Sequence, residues 1–174
     1  MKKIGLLSDT HGYLDPKVFD YFKLCDEIWH AGDIGDVAVS DQLSKFKTLR
    51  AVSGNIDGQQ IRSLHPVDQV FHCEEVKVLI THIGGYPGNY FPEAKNKIEA
   101  HRPDVFICGH SHILKVMRDA KYGLLHMNPG AAGKSGFHKI KTLIRFDING
   151  KKIENPEVIE LGLRGTIEAV DNLQ

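Results

Sequence analysis

The sequence predicts a mixed α/β fold. Three features carry that reading: strand, polar loop and helix follow one another repeatedly through the first half, runs of strand length dominate the second half, and five apolar runs end in residues able to bind metal. At 174 residues the chain suits a single domain over 1–174, able to bury roughly 70% of its unfolded surface without disulfides or a structural metal.

Ile4 to Leu7 is a short apolar run of strand character that leads at once into Ser8-Asp9-Thr10-His11-Gly12. Asp15-Pro16 then predicts a helix start, with Asp15 as cap and Pro16 at the first helical position. Val18, Phe19, Tyr21 and Phe22 supply that helix's apolar face. Glu27 to Ala31 is a second strand ending in Gly32-Asp33, and Val39, Leu43 and Phe46 make the next helical stripe. Leu49 to Val52 is a third strand. It runs into Ser53-Gly54-Asn55-Ile56-Asp57-Gly58, which is too polar and glycine-rich to continue pairing.

Val70 to Cys73 and Val76 to Ile80 read as neighbouring strands across a Glu74-Glu75 turn, the second reaching Thr81-His82. A glycine-rich loop, Ile83 to Tyr90, follows. Phe91, Ala94 and Ile98 suit a helix with Pro92 in its first turn, and Pro103 marks its exit before the strand Val105 to Cys108, which ends in Gly109-His110-Ser111-His112. Leu114 to Arg118, Leu124 to Met127 and Thr142 to Ile148 are strands, and Asn149-Gly150 signals a hairpin before Lys151 to Leu161. The last ten residues or so suit a short helix or a loose tail. No internal repeat, low-complexity segment or linker interrupts the chain.

Lys plus Arg and Asp plus Glu both total 22, so the formal net charge is zero, which argues against a nucleic-acid or anionic-membrane surface. The longest unbroken apolar stretch, Val105 to Cys108, is four residues against the ~20 that a membrane-spanning helix needs. Ser8 and Asp9 follow Met1-Lys2-Lys3 too soon for a signal peptide. Cys25, Cys73 and Cys108 are odd in number and lack metal-binding spacing, which suits buried thiols in a reducing compartment. A cytoplasmic location is expected.

The five metal-competent strand ends are Asp9 with His11, Asp33, Asn55, His82, and His110 with His112. Each alone is an ordinary polar turn, but the carboxyl ends of parallel strands line one edge of a sheet, where ligands bind. Seven donors exceed the needs of one tetrahedral ion, so two ions sharing an aspartate is the natural solution. Oxygen and imidazole donors without thiolate point to Mn²⁺ first, with Ni²⁺, Fe or Zn²⁺ as alternatives. Two divalent ions outweigh two aspartates and a hydroxide, so the site attracts anions. Paired ions activate water and clamp the entering and leaving oxygens of a phosphoryl displacement, which makes phosphoester hydrolysis the expected reaction.

The ordered blocks Asp9-Thr-His11, Gly32-Asp33, Gly54-Asn55-Ile-Asp57, Thr81-His82 and Gly109-His110-Ser-His112, with Asn128-Pro129-Gly130 beyond them, resemble the calcineurin-like metallophosphoesterases, nearest their small bacterial and archaeal phosphodiesterase branch. The resemblance implies a four-layer α-β-β-α sandwich, two mixed β-sheets face to face with helices outside. It implies that Asp9, His11, Asp33 and His112 hold one ion and Asp33, Asn55, His82 and His110 the other, with Asp33 as bridge. It implies a metal-dependent phosphodiesterase acting on a small phosphoester through a metal-bridging hydroxide.

The resemblance also shows a departure: many relatives place a histidine directly after the Gly-Asn pair, where it can protonate the leaving alcohol or stabilise the charged transition state, and here that position is Ile56. General acid help is typically worth 10² to 10⁴ in rate, so its absence favours activated, aryl-type leaving groups. Ile83 stands where a glycine often follows the family's histidine, a change of loop shape. His30 and Asp57 are candidates to support the site from behind the donors, with core and turn roles as their alternatives, and His126 resembles His30 in this. His65, His72, His101 and His138 read as surface side chains, and Tyr86 and Tyr90 as substrate-contacting or solvent-facing aromatics. Two other functions compete: a metal-bearing interaction scaffold, as a retromer subunit of similar fold is, and a nuclease, which the balanced charge weakens. The sequence leaves self-association open.

Overall fold

Strand alternation sorts the side chains of β1 (Lys2–Leu7) onto two faces. Ile4 and Leu6 enter a core between two sheets, while Leu7 joins a second cluster under a layer of helices. Gly5 lets the Phe22 ring lie flat on the strand, since a Cβ there would come within 2.6 Å of it. The computed structural model describes residues 1–165.

The remaining elements are α1 (Lys17–Phe22), β2 (Glu27–His30), α2 (Val37–Phe46), β3 (Thr48–Ala51), α3 (Gln59–Leu64), β4 (Asp68–Cys73), β5 (Val76–Thr81), β6 (Gly85–Tyr86), β7 (Asn89–Tyr90), α4 (Pro92–His101), β8 (Val105–Ile107), β9 (Leu114–Asp119), β10 (Leu124–Pro129), β11 (Ile140–Asn149) and β12 (Lys152–Leu163). One five-stranded sheet runs β12-β11-β1-β2-β3 and the other β4-β5-β8-β10-β9. In the first, β1, β2 and β3 are parallel; in the second, β5, β8 and β10 are. Antiparallel partners flank both parallel trios.

The inter-sheet core takes Ile4, Leu6, Trp29, Val78, Ile80, Val105, Met127 and Phe146. Trp29 meets Phe71 and Phe146 edge to face and donates its indole N–H to Glu27 at 3.0 Å. Outside one sheet, Val18, Phe22, Val39, Leu43 and Ile61 bring α1, α2 and α3 down onto Leu7 and Ile28. Outside the other, Ala94 and Ile98 of α4 cover Leu79, Phe106 and Leu124. The result is the α-β-β-α sandwich expected.

Helix ends follow the local chemistry. Pro16 already has helical dihedrals and the Asp15 carboxylate accepts the Lys17 N–H, while Asp36 caps α2 by accepting from Ala38. Two elements were not expected. α3 buries only Ile61 and so offers no apolar stripe, and the glycine-rich loop from Ile83 contains the two-residue ladder β6–β7. The expectation for the chain's last residues concerns 166–174, outside the described residues. The three cysteines are buried and unpaired, and burial pushes the Cys25 and Cys73 thiols up to about 11 and that of Cys108 to about 12. Among the described residues no helix is long and apolar enough to cross a membrane.

His30 closes the fold beneath the ends of β1 and β2. Thr10 donates its hydroxyl hydrogen to the Ile34 carbonyl, so it accepts from His30 Nε2–H at 3.0 Å, and His30 Nδ1 accepts the Gly32 N–H at 3.1 Å. Only a neutral ring satisfies both contacts. Burial, against the pull of Asp9 and Asp57, lowers its pKa to about 4. Between the unfolded value near 6.5 and about 4, the unfolded chain binds one more proton here than the folded one, so stability falls with falling pH by roughly 3 kcal/mol in all. In urea melts from pH 6.5 to 4.5, His30→Gln is expected to flatten that slope by about one proton, or ~1.4 kcal/mol per pH unit, relative to the native chain.

Candidate metal centre

All five strand ends meet at one edge of the sandwich. Asp9 and His11 follow β1, Asp33 follows β2, Asn55 follows β3, His82 follows β5, and His110 and His112 follow β8. Parallel strands rise to the same side, so the topology itself delivers these loops together. Asp9, His11, Asp33, His110 and His112 all have positive φ, between 48° and 67°. Such backbone costs energy in a non-glycine residue and persists only where surroundings enforce it, and five of the eight such residues lie at this edge.

The donors fall into two groups, Asp9 with His11 and His112, and Asp33 with His82 and His110. In the first, His112 Nε2 lies 3.2 Å from Asp9 Oδ1 and 3.2 Å from His11 Nε2. In the second, His82 Nε2 lies 3.2 Å from Asp33 Oδ1. Asp33 Oδ2 is 3.7 Å from His11 Nε2, so the two oxygens of this carboxylate address the two groups. The exposed Asn55 adds its amide oxygen 3.0 Å from His110 Nδ1.

Two buried atoms here have no hydrogen-bond partner, Asp9 Oδ1 and His82 Nε2. His82 Nδ1 donates to the Ala31 carbonyl at 2.7 Å, which leaves Nε2 as a lone pair in the neutral ring, aimed at the carboxylates. Buried acceptors facing one another without protons to share are costly unless a cation joins them. The donors therefore fit divalent ions. Burial works to lower the His82 pKa, but the close approach of the Asp33 carboxylate and the charge of Asp9 raise it. Burial works to raise the Asp33 carboxyl, but His82, the Ile56 N–H and the His11 charge hold it below the ordinary carboxylate range. His110 is lowered by desolvation and by the nearby His82.

A second set of side chains holds the donors in place. Asp9 Oδ2 accepts from the Ser8 hydroxyl at 2.6 Å and the His110 N–H at 3.1 Å. Asp57 clasps the site's loops by accepting from the backbone N–H groups of Ile34, Gly35 and Gly54. Gly54 has no side chain because Asp33 occupies the place of its Cβ. Asn128 Nδ2 donates to Gly109 O and Ser111 Oγ, fixing the loop between His110 and His112. The hydrogen bonds of His30 go to Thr10 and the Gly32 N–H, residues that flank Asp9, His11 and Asp33.

Three sequence-based readings need correction. His138 is not a free surface side chain: its Nδ1 lies 3.2 Å from His112 Nδ1 and its Nε2 donates to the Gly133 carbonyl at 2.9 Å. The loop from Gly133 to His138 folds back on the site, and Gly136, at φ +119, leaves the room that the His112 ring fills. In neutral rings, His138 Nδ1 then accepts from His112 Nδ1–H, which turns the His112 Nε2 lone pair toward Asp9. Burial lowers the His138 pKa, favouring that neutral form. His65 is half-buried against the Ser40 hydroxyl at 2.6 Å. Tyr90 packs among Phe106, Tyr122 and His126, whereas Tyr86 is exposed with Lys115 Nζ 4.3 Å above its ring. His126 is buried with neither ring nitrogen hydrogen-bonded, and His72 and His101 lie at the surface as expected.

Fold and donor set together describe an α-β-β-α sandwich with candidate metal-binding carboxylates and imidazoles at the strand ends. Residues 1–151 match the family model of the calcineurin-like phosphoesterase superfamily domain, and the chain belongs to that superfamily. A probable metallophosphoesterase of Methanocaldococcus jannaschii is 31% identical over 134 residues, covering 74% of this chain and 67% of that protein. Another from Methanothermobacter thermautotrophicus is 26% identical over 166 residues, 91% and 92% of the two chains. Among solved structures, Vps29 of Chaetomium thermophilum superimposes with a TM-score of 0.74 at 18% identity, over 92% of this chain and 97% of its own. A predicted phosphoesterase of Streptococcus pneumoniae does so with 0.70 at 21% identity, over 91% and 89%.

Removing the His138 ring frees His112 to rotate and change tautomer. His138→Ala is expected to weaken Mn²⁺ binding by about 10- to 100-fold in calorimetric titration, with the thermal midpoint of the metal-free protein nearly unchanged.

Proposed function

We propose that this metal-dependent phosphoesterase is a dinuclear phosphodiesterase for small substrates with activated leaving groups. The observation that carries the reading is the double address of Asp33, whose two oxygens reach toward separate groups of donors. Asp9, His11, Asp33 and His112 would hold one ion and Asp33, Asn55, His82 and His110 the other. Two such ions supply Lewis acidity, a water nucleophile at neutral pH and a clamp on the phosphoryl oxygens. Oxygen and imidazole donors suit Mn²⁺, with Ni²⁺, Fe and Zn²⁺ as competitors.

The chain's own residues set the limits of the chemistry. Asp57, Ser8 and Asn128 keep the donor loops from relaxing when a substrate arrives. Ile56, beside Asn55 and about half exposed, has no proton to give, so the leaving oxygen departs unprotonated or takes its proton from water. This favours phenol-like leaving groups. Diester preference follows from the resemblance to the small phosphodiesterase branch. A scaffold role has one observation in its favour, the exposed Phe137 and Ile113 beside the site, together with the likeness to Vps29 structures. The complete donor set weighs toward hydrolysis.

Chelated protein should be inactive toward an aryl phosphodiester and regain activity with two Mn²⁺ per chain, counted by elemental analysis. Asp33→Asn should lower kcat by about 10²-fold or more, because several kcal/mol of Lewis-acid stabilisation go with the shared ligand. Background rates with Mn²⁺, Zn²⁺, Ni²⁺ and Fe²⁺ alike would remove the enzymatic reading.

A further inference from the structure

A cleft of about 220 Å³ opens beside the second donor group, between the connection from α3 to β4 and the start of α4, and its walls include Asn55, His82, Ile83, Val67, Arg62 and Lys97. Val67 and Ile83 expose apolar surface into solvent, 59% and 39%. The two cations differ. Lys97 is neutralised by Asp68 at 2.8 Å. Arg62 makes no ion pair among the described residues; its Nε donates to the Asp57 carbonyl at 2.7 Å and its Nη2 to the Gly54 carbonyl at 3.5 Å.

Neutral carbonyls hold the guanidinium without cancelling its charge, and both belong to the loop that carries Asn55. Nη1 has no partner there. Glu93 also lines the cleft but does not pair with Arg62, and an anchored guanidinium outside any ion pair of the described residues, next to candidate metal ligands, is preorganised for a planar or tetrahedral oxyanion. We propose that the cleft seats the leaving-group side of the phosphoester, a single ring or short apolar chain rather than a nucleotide, and that Arg62 is a catalytic residue donating to the phosphoryl oxygens. The size of the cleft sets that limit, since it is smaller than the ~300 Å³ at which pockets begin to enclose larger ligands. When water adds to phosphorus, the bond to the leaving oxygen breaks and its electron pair stays on that oxygen. Negative charge meanwhile spreads over the phosphoryl oxygens, where a fixed cation acts most strongly. With isoleucine at position 56, and the neighbouring Asp57 carboxylate taken up by the backbone N–H groups of Ile34, Gly35 and Gly54, that compensation matters more. The proposal rests on the phosphodiesterase reading for its chemistry but not for its anion contact.

The test compares metal-loaded native protein, Arg62→Ala and Arg62→Lys. Inorganic phosphate binding, measured by calorimetry, should weaken about tenfold or more in Arg62→Ala, as expected for a lost charged hydrogen bond, with Mn²⁺ binding unchanged. On aryl phosphodiesters kcat/KM should drop by about 10²-fold, and added guanidinium should restore part of it. Arg62→Lys should fall between the two. Val67→Trp, which fills the apolar wall, should raise KM for aryl esters and leave Mn²⁺ binding intact. Unchanged phosphate affinity in Arg62→Ala overturns the proposal, as does a loss that tracks lost Mn²⁺ and resists guanidinium. An unaltered KM in Val67→Trp overturns the leaving-group assignment. A native protein that hydrolyses nothing yet binds phosphate through Arg62 sinks the phosphodiesterase reading and keeps the anion site.

Discussion

The structure turns on keeping lone pairs pointed at one another. Asp9 and Asp33 are almost wholly buried, and the nitrogens of His11, His82 and His112 approach their oxygens at 3.2 to 3.9 Å without a shared proton network to bind them. Left free, such groups would turn toward water or take up protons. Here five of the seven donors have left-handed backbone, Ser8 and His138 occupy the far-side polar atoms of Asp9 and His112, and Asp57 and Asn128 tie the loops that carry the donors. Left-handed backbone costs roughly 1 to 2 kcal/mol per residue in a protein whose total stability is of order 10 kcal/mol. The double sandwich offsets that strain. Two sheets and two helical layers give three apolar clusters, and the strained edge is a small fraction of what they bury.

The division of labour between the sheets explains why both are needed. β1, β2 and β3 supply Asp9, His11, Asp33 and Asn55, while β5 and β8 supply His82, His110 and His112. Each donor group therefore draws on both sheets, and packing of the inter-sheet core sets the distance between its members. Trp29, wedged between Phe71 of one sheet and Phe146 of the other, lies one residue before His30, which braces Thr10 and Gly32. Precision at the edge is thus inherited from side chains deep in the middle of the molecule.

Much of this was legible in the chain because strand ends coincide with chemistry. Strand-like runs of four or five residues end just before Asp9, Asp33, Asn55, His82 and His110, and the structure has a strand at each of them. What stayed hidden lacked a local signal. α3 has one buried residue, Ile61, so nothing periodic announces it, and Arg62 on it had no visible partner in sequence. His138 stands 26 residues from His112, amid Lys, Ser and Gly, and only the return of the loop through Gly136 brings the rings together. Tyr90 looked like a loop aromatic because a two-residue ladder and a ring cluster cannot be read from a glycine-rich stretch.

The sandwich alone does not decide the chemistry. It is shared with Vps29 structures at 18% identity, a level at which layers and strand order persist while surfaces diverge. What separates a hydrolase from a docking surface on this fold is the electrostatic character of one edge. Here that edge presents seven donors, two of them buried with unsatisfied atoms, and a guanidinium that makes no ion pair among the described residues. Buried lone pairs held at such cost suit an edge that gathers cations, as the metal-dependent chemistry of the calcineurin-like phosphoesterase superfamily requires.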